Sequence, residues 1–285
     1  MQDEQPKFID FLKWRAWTAG LSAALCLAGL ISLAVQGLNL GLDFTGGTVV
    51  ELGFREEVQT ATVSGQLAQA GFESASVVHF GSERDVLVRL PPGDSATVGQ
   101  QVLAAVGGAG VATLKRTDVV GAQIGDELRD QGGLALLLAL ALVAGYVAMR
   151  YEWKMATGAI VAIFHDVLVT VGLFSIFQWE FDLAALAAVL SLVGYSINDT
   201  IVIYDRVREN FRKMRRVDRF TVCNVSLTQT LGRTITTSAL TQLVVVAMLV
   251  AGGPQLQGFS LAMFVGIIAG SYSTIYIASA FSLWL

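Results

Sequence analysis

The sequence predicts a polytopic α-helical membrane protein with six transmembrane helices. One exported α+β domain of ferredoxin-like βαββαβ plan lies between helices 1 and 2. Three observations carry this reading. Of 285 residues, 54% are hydrophobic and 15% charged, against about 25% charged in an ordinary soluble domain. Six apolar runs approach or exceed the roughly 20 helical residues that a bilayer crossing needs. About 95 residues separate the first run from the second, and shorter connections join the rest. The same composition excludes a disordered chain, a net charge of −4 argues against nucleic acid as a partner, and two cysteines cannot make a disulfide scaffold.

Residues 1–16 form a cytoplasmic N-terminus, and the first span covers 17–37. It reads as a retained anchor, because its apolar stretch exceeds a signal-peptide core and Ala34-Val35-Gln36 is a poor cleavage site. Within 38–132, residues 48–54 are β-branched and apolar and predict a strand. Residues 61–70 have helical spacing at Val63, Leu67 and Ala70, and Gly71 stops them. Short strands follow at 76–80 and 86–90 around a turn at 81–84, the second ended by Pro91-Pro92-Gly93. A helix at 96–106 and a strand at 111–120 complete the βαββαβ order. The remaining spans are 133–149, 155–177, 182–204, 233–251 and 259–285, with a basic cytoplasmic loop at 205–232.

Orientation follows the basic residues. Lys7, Lys13, Arg15, Arg150, Lys154 and the seven cations between Arg206 and Arg219 lie on one side, and the short loops opposite carry none. Both termini are therefore expected in the cytoplasm and the 38–132 domain in the periplasm, where twelve acidic residues against six basic ones suit a translocated segment. Residues 205–220 interleave cations with Phe211, Met214 and Val217, a pattern that also fits a helix lying on anionic lipid.

No catalytic or metal-ligating constellation stands out. His79 is a lone histidine on a strand, and the glycines of 41–48 have neither the lysine nor the helix start of a phosphate loop. They suit a tight turn instead. No cofactor is implied. The chemistry lies in the spans, where an ionisable group costs about 2.5–3.5 kcal/mol at the bilayer centre. His165 and Asp166 interrupt the third span, Asn198 and Asp199 the fourth, and Arg233 borders the fifth. At about 1.5 Å per residue, Asp199 lies about 26 Å and Arg233 about 27 Å from the outer ends of their spans, so an ion pair is geometrically allowed. Asp166 lies nearer the midplane, in a polar layer with His165, supported by Ser196 and Asn198. Burial raises an aspartate's proton affinity and a nearby arginine lowers it, so a moving arginine would make Asp199 take up and release a proton. Gly194 and the Gly266–Gly270 pair would permit helix sliding.

Three stretches carry a family resemblance. GLDFTGGTVVEL (41–52) resembles the motif that follows the first span in the SecD/SecF family. GYSINDTIVIYDRVREN (194–210) and NVSLTQTLGRTITTS (224–238) are similar to its SecF-type members, and FHDV (164–167) fits as well. The resemblance implies half of a proton-driven transporter of the RND superfamily, with SecD as the other half. It implies action with the SecYEG channel, with the SecA motor indirectly and with YajC, drawing a translocating polypeptide outward with protons, or sodium ions, as the coupling ion. It assigns the relay to Asp199 and Arg233, with a further carboxylate supplied by SecD. Residue physics alone would also permit half of a small-molecule or lipid exporter, although such pumps usually carry much larger exported domains. An intramembrane enzyme would need a nucleophile and base, or paired aspartates, that the sequence does not present.

Overall fold

The structure is a computed structural model that describes residues 8–91 and 97–284. Residues 1–7, Pro92-Gly93, the first residue of the helix expected at 96–106 and Leu285 lie outside the described residues. In chain order the main elements are α1 (Arg15–Val35), β1 (Gly47–Phe54), α2 (Thr60–Gln69), β2 (Ser76–Phe80), β3 (Ser82–Leu90), α3 (Val98–Ala105) and β4 (Ala112–Val120). There follow α4 (Ala122–Arg150), α5 (Trp153–Phe177), α6 (Leu183–Lys213), α7 (Arg219–Ala251) and α8 (Gln257–Ser273). One wide π-helical stretch, Thr274–Ala278, joins α8 to α9 (Ser279–Trp284). The chain divides into two compact units, Leu40–Gly133 and the helical remainder.

In the first unit the four strands form one antiparallel sheet in the order β2-β3-β1-β4. Side chains alternate across a strand, and one set is buried: Val50 and Leu52 on β1, Val86 and Val88 on β3. Val63 and Leu67 of α2 and Val102 and Val106 at α3 cover that face. The opposite face is partly solvated and carries Lys115, which reaches Asp85 at 2.6 Å and Glu51 at 3.8 Å across the strands. The Lys115 hydrogen bond holds the Asp85 carboxyl below its ordinary range. The turn expected over 81–84 is tighter than that. Gly81 alone separates β2 from β3, turning the chain with φ +80°, and the Ser82 hydroxyl accepts from the Asp85 N–H at 3.2 Å.

The glycine motif makes one helical turn, Leu42–Thr45, and then Gly46 (φ +65°) and Gly47 (φ +129°) lead into β1. A side chain at Gly46 would strike the Ala122 backbone at 2.7 Å, and one at Gly125 would strike the Gly46 nitrogen at 2.8 Å. Both glycines are thus required by backbone conformation or by close approach to the start of α4.

Among the described residues six helices are long and apolar enough to cross a membrane. Several outrun the expected spans. The helix expected at 133–149 begins at Ala122. The segment 205–232, expected as a loop, is non-helical only over 214–218. Strong helix formers and spaced charges explain the extension of α6, since Glu209 pairs with Arg206 at 2.9 Å and with Lys213 at 2.6 Å. Asp218 caps α7 by accepting from the Phe220 N–H at 2.9 Å.

Small residues set the packing. The buried positions of α1 are Ser22, Gly29 and Ser32. A side chain on Gly172 of α5 would meet the Gly29 backbone at 2.8 Å, and the Ser32 and Ser175 hydroxyls bond at 2.7 Å. On α8, any side chain at Gly266 would overlap Leu192 of α6. The segment before α1 is clamped to α7: the Ile9 N–H donates to Thr228 Oγ1 at 3.0 Å, the Leu12 N–H to Asn224 Oδ1 at 3.2 Å, and Asn224 Nδ2 to Asp10 Oδ1 at 2.9 Å. Helices α5, α6 and α8 form the interior, whereas α1, α4 and α7 present Trp17, Leu134 and Leu243 outward.

Candidate functional site

Two carboxylates lie inside the helical unit, and their surroundings differ. Asp166, on α5, is 1% exposed. Its Oδ2 accepts from Ser196 Oγ of α6 at 2.6 Å and from Ser273 Oγ at the end of α8 at 2.8 Å. Its Oδ1 lies 3.0 Å from His165 Nδ1. Gly270 allows this convergence, since a Cβ there would already touch Ser196 at 3.3 Å and Asp166 at 3.5 Å. Three polar side chains from three helices therefore meet on one acid. Buried polar groups are normally partnered, and this layer meets that demand except at His165 Nε2, which is buried and has no hydrogen-bond partner among the described residues. The His165 ring lies 6.2 Å from that of Tyr272, whose hydroxyl donates to the Thr18 carbonyl at 2.6 Å and accepts from Ser22 at 3.0 Å.

Asp199 lies about one turn from Ser196 on α6 and is 5% exposed. Among the described residues no hydrogen bond and no ion pair within 4.0 Å reaches its carboxylate, although Arg233 acts on it electrostatically. The neighbouring Thr200 hydroxyl is engaged with Thr274 at 3.2 Å. Arg233 stands on α7 just before buried Thr234, and its own side chain is exposed. The contact ion pair that the matched depths allowed is thus not formed here.

Asn198 does not join the polar layer. Two residues along a helix is about 200° of rotation, so it lies across the helix from Ser196, exposed. Gly194, expected to ease sliding, has open space where a side chain would be. Ser273 and Tyr272 were missed by sequence reasoning. The small-polar run Gly270-Ser271-Tyr272-Ser273-Thr274 is the only signal that could have pointed to them. Among the described residues no group of three or more His, Cys, Asp or Glu is placed to hold a metal ion.

A multi-span helical bundle with two acids inside it and a compact α/β unit between its first two spans defines a class of membrane protein. The description "protein export membrane protein SecD/SecF, C-terminal" belongs to the family model that matches residues 101–285, and the SecD/SecF GG motif matches 31–58. The chain belongs to the SecD/SecF family, on the side of its SecF subunits. It is 49% identical over 280 residues to a protein translocase subunit SecF of Pseudomonas aeruginosa, covering 97% of this chain and 91% of that one. It is 44% identical over 284 residues to the SecF subunit of Vibrio alginolyticus, covering 98% and 90%. The crystal structure of SecDF, a translocon-associated membrane protein from a Thermus species, superposes with a TM-score of 0.89 at 34% identity. That match covers all of this chain and 39% of the SecDF chain.

Proposed function

We propose that this chain is the SecF-type half of a SecD–SecF complex that serves the Sec translocon, promoting late-stage export of polypeptides with the proton-motive force. The near full-length likeness to translocase subunits supports the transport role and argues against a small-molecule or lipid exporter. SecD is the direct partner in this reading. SecYEG and the translocating polypeptide are engaged by the complex, SecA acts through the channel, and YajC is an accessory. The Leu40–Gly133 unit is read as a periplasmic ferredoxin-like domain, a plan supported by its βαββαβ order and its β2-β3-β1-β4 antiparallel sheet. Both termini are read as cytoplasmic from the basic residues around Arg150 and Arg206–Arg219.

The observation that carries the coupling reading is Asp199 itself. It is buried among membrane helices, has no hydrogen-bond donor among the described residues and feels Arg233 without touching it. An ionised carboxylate left unpaired in such a place is costly. It can bind a proton, or be matched by Arg233 or by a group from a partner. Arg233, exposed midway along an apolar helix, suits a position where a second subunit covers it. When the arginine approaches, the proton leaves; when it withdraws, the proton is held. Each charge crossing the membrane gains or loses about 2.3 kcal/mol per 100 mV, enough to shift a two-state equilibrium of a few kcal/mol. The Asp166 layer supports this site by fixing α5, α6 and α8 around it.

The test is proton-gradient-dependent export in inverted vesicles containing the SecD–SecF complex. Asp199→Asn and Arg233→Leu each abolish the gradient-dependent part while leaving assembly with SecD intact. Wild-type export by Asp199→Asn rejects the relay. Replacing sodium by potassium, and varying pH, identifies the coupling ion.

A further inference from the structure

At the end of the bundle where α6 hands over to α7 there is a recess of about 560 Å3. Five cations line it: Arg208 and Arg212 on α6, Arg215 in the connecting turn, Arg219 at the start of α7, and Lys154 in the first turn of α5. Glu152 is the single carboxylate among the lining residues, and Met155, Val207 and Leu283 give the recess an apolar side.

Among the described residues the five cations of this recess form no ion pair within 4.0 Å, whereas three cations beside it are paired. Arg150 pairs with Asp205 at 3.4 Å, and Arg206 and Lys213 share Glu209. Among the described residues, none of the five lining cations has a carboxylate within 4.0 Å. Arg208 lies over the Tyr151 ring at 5.7 Å, Arg219 over Phe220 at 5.4 Å and Lys154 over Trp153 at 5.5 Å. Aromatic faces hold these cations in place without neutralising them. Like charges gathered around one space repel, and an anion within it removes that cost.

We propose that this recess binds the headgroup of an anionic phospholipid. Guanidinium groups match phosphate oxygens two at a time. The recess lies at the ends of apolar helices, where headgroups meet water. Its apolar side would receive the glycerol and the first methylenes of the acyl chains. A free phosphate would satisfy the cations and leave that side wet, which favours the lipid. The inference requires the helices to lie in a bilayer and is independent of any proton relay.

The test uses the full chain, stripped of lipid in neutral detergent and placed in nanodiscs of phosphatidylethanolamine alone or with phosphatidylglycerol or cardiolipin. Lipid retained on extraction is counted by native mass spectrometry. The wild type retains the anionic lipids and not phosphatidylethanolamine. The triple variant Arg208→Gln, Arg212→Gln, Arg215→Gln loses at least about tenfold of that retention. Arg206→Gln with Lys213→Gln, which removes two paired cations at the same helix end, keeps it. Should the triple variant fold poorly by circular dichroism, Arg212→Gln alone still lowers retention by about fivefold. Equal retention of phosphatidylethanolamine, or equal loss in the control pair, overturns the proposal. So does inorganic phosphate binding as tightly as the lipid, which would make the recess a free-anion site.

Discussion

At the scale of single residues, two aspartates of the same bundle face different demands. Asp166 is fully engaged by Ser196, Ser273 and His165. Asp166→Ala leaves three buried polar groups without their acceptor and should cost about 3 kcal/mol, read as a lowered unfolding midpoint in detergent. Asp166→Asn retains an oxygen and should cost clearly less. Asp199→Asn removes a charge with no hydrogen-bond partner among the described residues, so it should leave that midpoint unchanged or raise it while abolishing coupling. Asp85 shows the opposite case on the surface. Its carboxyl is held low by Lys115, so the pair stabilises the folded domain above the ordinary aspartate range near about 3.9. That stabilisation fades as pH falls through the lowered value. Asp85→Asn should flatten this part of the acid unfolding curve. The sequence made Asp199, Asp166, His165 and Arg233 visible, because charge within an apolar run is costly and stands out. It hid Ser273 and Tyr272, because a serine or tyrosine in a span is unremarkable until its neighbours are known. Asn198 is expected in the layer, but its helical phase puts it on the exposed side of α6, away from Ser196.

At the scale of elements, contact between helices is set by what is missing from them. Gly29 and Gly172 bring α1 against α5 at backbone distance, and small residues allow such approach within a bilayer. Gly172→Leu should therefore detach α1, read as lost cross-linking between cysteines introduced at Ser32 and Ser175. Gly266→Leu overfills the contact with Leu192 and should cost about 1–3 kcal/mol. The Gly266–Gly270 pair was legible as a motif, but not as the surface that α8 turns toward α6. Helix ends are less legible in the sequence than helix centres. Apolar content marks the part that crosses lipid, whereas α4 and α6 continue on polar residues with good helix propensity. The clamp of residues 9–12 on Asn224 and Thr228 is a pairing over more than 200 positions, and no local pattern announces it.

At the scale of the whole molecule, two cores do separate work. The sheet core around Leu52 and Val88 shares no member with the bundle core around Tyr204 and Ile203. Leu52→Ala should cost about 2–5 kcal/mol, read as faster hydrogen exchange in β1 and β3 with the helices unaffected. This division was legible from the length and polarity of residues 38–132. The alternation of β1 and β3 gave the buried face, although the one-residue turn at Gly81 was not anticipated. The widened stretch Thr274–Ala278 has a consequence that reaches past both cores. It begins directly after Ser273, where the Ser279 hydroxyl bonds the Thr274 carbonyl five positions back at 3.0 Å. Such a stretch stores one surplus residue. Tightening it would swing everything downstream by about 100°, so the chain's last turns could change heading while Ser273 kept its grip on Asp166.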